Sequence, residues 1–156
     1  MQTNALFYKI HKETVLVEDY IHWSHSLLEK SVYSPSLYII ASFTIKDNIF
    51  EVEEYFKKAL NELEVQQPVF EVCARAHIGH LANEIIKSDN YSDLVYLTEK
   101  IFHVVATELY YPDDLIEWYE ISEMIDRLKG DKVALEFYEE DVISKVKHEA
   151  EALKVN

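Results

Sequence analysis

A chain of 156 residues with 49% hydrophobic and 13% aromatic side chains is long enough to bury a core of its own and too apolar to be disordered, despite its charge. Lys and Arg number 15 against 29 Asp and Glu, a formal net charge of −14 that argues against free nucleic acid or an anionic membrane as a partner. Two glycines and three prolines leave few places for hairpin turns, so an all-α fold is expected.

Residues 1 to 13 show no clear period, and FYKI reads as a short strand or as an N-terminal cover. From about Val17 to Lys30, the residues Val17, Tyr20, Ile21, Leu27 and Leu28, with Ser24 between them, fall on one helical face. Ser34 before Pro35 predicts an N-cap followed by proline at the first helical position, with Leu37, Ile40 and Ala41 inward, and this helix should form a hairpin with the one before it. Asn48 and Glu51 have capping-box spacing, and the helix they open carries Val52, Tyr55, Phe56, Ala59, Leu60 and Leu63 on one stripe.

The stretch Pro68 to Ser88, PVFEVCARAHIGHLANEIIKS, has apolar or small residues almost all the way round a helix, as expected of a helix buried among others. Ala74, Ile78, Leu81 and Ile85 form one stripe; Cys73, Ala76, Gly79, His80 and Asn83 form a second, small enough to let a neighbouring backbone approach. The single cysteine, Cys73, falls where a buried side chain is expected and reads as a small core residue. Asn90 or Ser92 caps the next helix, marked by Leu94, Thr98, Ile101, Phe102, Val105 and Leu109. Pro112, Asp113 and Asp114 open another, with Leu115, Trp118, Tyr119, Ser122 and Ile125 inward and Gly130 as its C-terminal cap. Beyond Asp131, the residues Leu135, Tyr138, Val142, Val146 and Leu153 suit one long helix or two short ones. The expected architecture is a single all-helical domain over residues 1–156, with six or seven helices in an antiparallel bundle or short α–α superhelix around a central buried helix. No segment reaches the roughly 18 apolar residues of a membrane span, and the N-terminus lacks a basic region followed by an apolar run, so a cytoplasmic location is expected.

Three groups of residues carry chemistry. His77 and His80 are three apart, with Glu84 one turn further on, and His22 and His25 repeat the spacing, so a histidine metal site is geometrically conceivable. Against it stands the ordinary reading of hydrogen-bonded core or surface histidines. Glu117, Glu120, Glu123 and Asp126 form an acidic ladder which, with Glu51 and Glu54, is similar to the magnesium-binding carboxylates of all-α nucleoside triphosphate pyrophosphatases. Here about seventy residues separate the two acidic pairs, and an acidic ladder is also what a solvated face looks like. Nucleophilic catalysis lacks its motifs: there is no G-x-S-x-G elbow, phosphate-binding glycine loop or dinucleotide fingerprint. No cofactor is implied.

The third group is the most unusual. Glu108 to Asp126, ELYYPDDLIEWYEISEMID, holds seven acids and no Lys, Arg or His, interleaved with Tyr110, Tyr111, Trp118 and Tyr119. Acids supply long-range attraction to a basic partner, and tyrosines supply rigid contact area. Tyr110, Tyr111, Asp113, Asp114, Glu117, Glu120 and Glu123 are therefore the expected partner-binding residues, and Glu136, Glu139, Glu140 and Asp141 extend the negative surface. The competing reading turns Trp118 and Tyr119 inward and leaves the acids as a solubilising face.

The runs YIHWSHSLLEK and SPSLYIIASFTIKDNIFEVEEYFKKALNEL, with YYPDDLIEWYEI and ISKVKHEAEAL later in the chain, resemble a family of small acidic helical bacterial proteins, mostly uncharacterised. The markers are Trp23, the turn Ser34 to Leu37, Glu51 to Phe56, and Pro112 to Trp118, all of them fold-like rather than catalytic. The resemblance implies an immunity protein that accompanies a polymorphic toxin, and it carries over no active site. The expected function is a non-enzymatic protein-binding module with a basic protein partner, such as a toxin domain. The alternatives are a metal-dependent nucleotide hydrolase and a structural or oligomeric adaptor, which leaves self-association open.

Overall fold

Residues 3–11, where no helical period is visible, form the first helix. Ala5, Leu6, Phe7 and Tyr8 are consecutive and all buried, so no polar residue marks a period, and backbone bonding closes the helix regardless. The computed structural model describes residues 1–130 and 137–154. Among these residues it has eight α-helices and no strand: α1 Thr3–His11, α2 Val17–Glu29, α3 Pro35–Ser42, α4 Ile49–Glu62, α5 Phe70–Lys87, α6 Tyr91–His103, α7 Glu117–Gly130 and α8 Glu139–Ala152. The all-α class stands, and the expected six or seven helices are too few by at least α1. The chain divides into two compact units, Met1–His77 and Ile78–Asn156, the division falling within α5.

In the first unit α3 packs on α2 and α4, and α2 packs on α1. Two of the caps are local and chemically plain. Ser34 Oγ accepts the Leu37 N–H at 3.1 Å, and Pro35 takes the first helical position. Asn48 Oδ1 accepts the Phe50 N–H at 2.9 Å. The expected capping box is not formed, because the Glu51 N–H bonds the Asn48 carbonyl instead. A second cap arrives from far along the chain: the Glu62 carboxylate accepts the Ser36 N–H at 3.0 Å and its hydroxyl at 2.7 Å. At the centre, the Phe56 ring lies 5.8 Å from Phe7, 5.1 Å from Tyr20 and 4.9 Å from Trp23. Trp23 is fully buried, and its indole N–H donates to Thr3 Oγ1 at 3.0 Å. Asp19 is buried beside this core. It is neutralised by Lys9 Nζ at 2.7 Å and accepts the Leu16 N–H at 2.8 Å, which ties α1 to the start of α2.

The α5 helix buries one face rather than its whole circumference. Cys73, Ala74, Ile78, Leu81, Ala82 and Ile85 are buried, whereas Ala76, Gly79, His80 and Asn83 are only partly covered. A Cβ added at Gly79 would meet nothing within 4 Å, so no neighbouring backbone approaches at this glycine.

In the second unit α6 packs on α7 and α8, and α7 packs on α8. Asn90 is the cap of α6, with Oδ1 accepting from Ser92 and Asp93 N–H groups at 2.9 and 3.3 Å. The inward stripe of α7 differs from expectation. Leu115, Trp118, Ile121 and Ile125 are buried, while Tyr119 is 40% exposed and Ser122 is partly covered. The apolar isoleucine takes the buried position that the tyrosine would have had to desolvate. Pro112 opens a single 3₁₀ turn, Asp113–Leu115, and α7 starts only at Glu117. Gly130 is the last residue of α7 and does not adopt the left-handed capping conformation. In α8 the buried residues are Val142, Val146 and Ala150. Leu135 and Glu136, and with them the choice between one helix and two over residues 131–154, lie outside the described residues.

Candidate functional site

The end of α6 builds an unusual backbone, a π-helical turn followed by two left-handed tyrosines. Its last turn widens into a π-helical turn, Val104–Glu108, in which the Leu109 N–H reaches the Val104 carbonyl at 3.0 Å. The chain then reverses through Tyr110 and Tyr111 at φ 56° and 57°, and the Tyr111 N–H closes on the Val105 carbonyl at 2.9 Å. This satisfies carbonyls that a helix end leaves open, a task that a left-handed glycine commonly performs at helix C-termini. Two successive tyrosines in the left-handed region cost about 1 to 3 kcal/mol each.

The strain leaves Tyr110 80% exposed and Tyr111 45% exposed. Tyr111 meets Phe102 of α6 and Tyr119 of α7, with ring centroids 6.3 and 6.0 Å away, and Phe102 and Tyr119 are 6.3 Å apart. Tyr119 was expected to face inward; it belongs instead to this half-exposed aromatic surface. Trp118, its neighbour, is buried as the competing reading required, so the segment splits, with the indole in the core and the tyrosines outside.

The carboxylates of the same segment are not equivalent. Lys145 of α8 reaches Glu117 at 3.3 Å and Glu120 at 3.2 Å. Burial works against the Lys145 charge, but hydrogen bonds to these two acids more than offset it and hold the ammonium pKa above the usual lysine range. Glu117 and Glu120 are thus committed to a bridge within the molecule. Asp113, Asp114 and Glu123 are exposed, and among the described residues no base pairs with Asp113 or Glu123. Of the seven expected partner-binding residues, Tyr110, Tyr111, Asp113, Asp114, Glu120 and Glu123 are exposed and Glu117 is half-covered, and Glu117 and Glu120 are the two that pair with Lys145. Phe102, Tyr119 and Lys145 are additions that linear spacing could not supply, since the bridge spans 25 residues or more and the tyrosine's direction depends on which α7 residue fills the core.

The histidines do not assemble into a metal centre. His22 and His25 are exposed on α2, the His77 ring lies flat against Tyr8 with centroids 4.1 Å apart, and His80 Nε2 pairs with Glu84 at 3.3 Å. Among the described residues no three His, Cys, Asp or Glu side chains are grouped so as to hold a metal ion, and that includes the acidic ladder. Glu54 pairs with Lys57 at 3.3 Å. Cys73 is fully buried with Sγ 3.8 Å from the Pro68 carbonyl, and burial pushes its thiol pKa up, away from the reactive thiolate. A shallow cleft of about 340 Å³ in the second unit is lined by Tyr91, Ser92, Val95, Leu128, Lys129 and Glu139; its ammonium, on Lys129, is already held by Glu99.

No described helix is long and apolar enough to cross a membrane. The chain matches no protein-family model, no curated protein and no solved structure.

Proposed function

We propose that this chain is a non-enzymatic binding module whose working surface is the acidic, tyrosine-rich turn between α6 and α7, and whose partner is a basic protein domain. The observation that carries the reading is the strained pair Tyr110–Tyr111, held outward on a π-helical turn beside exposed Asp113 and Asp114. Left-handed tyrosines are replaced at little loss by Asn or Gly if they serve only a helix end, so their presence argues for a use of the side chains. Rigid tyrosines contribute contact area at small entropic cost, and exposed carboxylates accelerate encounter with a positive surface. In its finer form, which draws on the family resemblance, the chain is a bacterial cytoplasmic immunity protein that neutralises a basic toxin domain by covering it.

Gene neighbourhood is the first check on the finer form. A neighbouring secreted protein with a variable C-terminal domain supports it, and a metabolic operon in that place argues against it. The binding surface itself is tested by association kinetics with the basic domain at low and high salt, using Asp113→Lys combined with Glu123→Lys. Both residues are chosen because neither takes part in an internal ion pair among the described residues. The double variant should associate about tenfold more slowly at low salt and lose most of the salt dependence. An unchanged rate and salt response would rule this surface out.

A further inference from the structure

Building on the reading of this turn as a binding surface, we propose that the triad Phe102, Tyr111 and Tyr119 is the seat of an arginine side chain from the basic partner. The three rings touch one another in pairs at 6.0 to 6.3 Å, and their planes are inclined by 43° to 83°. They are neither stacked nor packed away: Tyr111 and Tyr119 are 45% and 40% exposed.

Two rings elsewhere in the chain, half-buried Tyr55 and exposed Tyr96, receive a cation from within it. Lys58 Nζ stands 4.6 Å from the Tyr55 ring centroid, and Lys100 Nζ stands 4.4 Å from that of Tyr96. Among the described residues no Lys or Arg stands over the triad, and the segment from Glu108 to Asp126 contains no basic residue that could. Lys145, which reaches this segment from α8, is held by Glu117 and Glu120. The triad therefore offers electron-rich ring surface that attracts a cation, and among the described residues no Lys or Arg occupies it.

Arginine fits better than lysine for a geometric reason. A guanidinium is planar, stacks on a ring face, and keeps its N–H fork in the plane for a carboxylate, whereas an ammonium is a compact, strongly hydrated point charge. Asp113 and Asp114 follow Tyr111 by two and three residues, within roughly 7 to 11 Å of chain. The exposed Asp113 carboxylate can accept the N–H groups of a guanidinium whose face lies on the rings.

The probes are two short peptides of identical length and charge, one with arginine and one with lysine at every basic position, titrated into the intact chain by calorimetry. The arginine peptide should bind about three- to tenfold more tightly. Tyr119→Leu, at an exposed helical position, should weaken the arginine peptide more than the lysine peptide and so abolish that preference, and Tyr119→Phe should keep it. Phe102→Leu, made separately and checked for native helicity, should act like Tyr119→Leu. Equal binding of the two peptides by the native chain, or a preference that survives both leucine variants, overturns the seat. The charge-reversed variant Asp113→Lys with Glu123→Lys separates the two claims. If it weakens both peptides while no arginine preference exists, the acidic surface stands and the seat falls; if it weakens neither, the acidic surface falls as well.

Discussion

The two units use charge in opposite ways. In Met1–His77, eleven acids face seven bases, a net −4, and several of the acids are built into the framework. Asp19 is buried against Lys9, Glu62 caps α3, and Glu53 accepts a hydrogen bond from buried Tyr20 at 3.3 Å. Burial, and then Glu53, push the Tyr20 hydroxyl pKa far above the usual tyrosine value, so this bond keeps its proton at any physiological pH. In Ile78–Asn156, eighteen acids face eight bases, a net −10. Ion pairs described there, among them Lys145 with Glu117 and Glu120, Lys147 with Asp89, and Lys129 with Glu99, lie at the surface. The lesson is that overall acidity says little about any one carboxylate: the first unit builds several of its acids into the framework, and the second carries the larger negative surplus.

That contrast is open to direct attack, most strongly at Asp19. Removing its carboxylate in Asp19→Ala strands Lys9 and the Leu16 N–H, and should destabilise the protein by about 2 kcal/mol in urea denaturation. A loss below a few tenths would mean that the buried pair contributes nothing and that the two units do not differ in this respect. The matching change in the second unit, Lys145→Ala, removes a half-exposed cation from two surface acids. It should cost less than about 1 kcal/mol, and less still at high salt. It also releases Glu117 and Glu120, so association with a basic partner should become faster while stability barely moves. A larger loss of stability than that of Asp19→Ala would invert the comparison.

The smallest effect is a pH dependence in the first unit. Hydrogen bonds from the Ser36 hydroxyl and the Ser36 N–H hold the Glu62 carboxyl below the usual glutamate range. Its folded pKa is thus lower than its unfolded one, so its contribution is fully present above the unfolded value, about 4.3, and fades as the pH falls through the folded value. The native chain should therefore be more stable than Glu62→Gln at neutral pH, and the gap should close in strongly acidic solution. A gap that stayed constant over that range would show that the charge of Glu62 plays no part in capping α3.

Much of the fold was legible because its signals are local. A proline at the first turn and a side-chain oxygen two or three residues from the N–H it caps lie within one turn of chain, so Ser34–Pro35 and Asn90 are readable without any tertiary partner. α1 was not legible, because four consecutive buried residues carry no period of 3.6. The one-sided burial of α5 and the outward turn of Tyr119 were also hidden, since small or amphipathic residues suit a core and a surface equally. Of the candidate surface, the run of acids and tyrosines was visible in the linear sequence. The left-handed backbone at Tyr110 and Tyr111 was not, because no glycine announced it.

Most of the helices, the caps at Ser34, Asn48 and Asn90, and the surplus of negative charge in residues 108–126 follow from the order of amino acids, because propensity, capping and charge act over a few residues. Which of those charges remain on offer follows from contacts made across the fold. Lys145 takes up Glu117 and Glu120 from 25 or more residues away, and Ile121 fills the core where Tyr119 could have stood. The result is a surface of Tyr110, Tyr111, Tyr119, Asp113 and Asp114, drawn together by a strained turn and by the packing of α6 against α7.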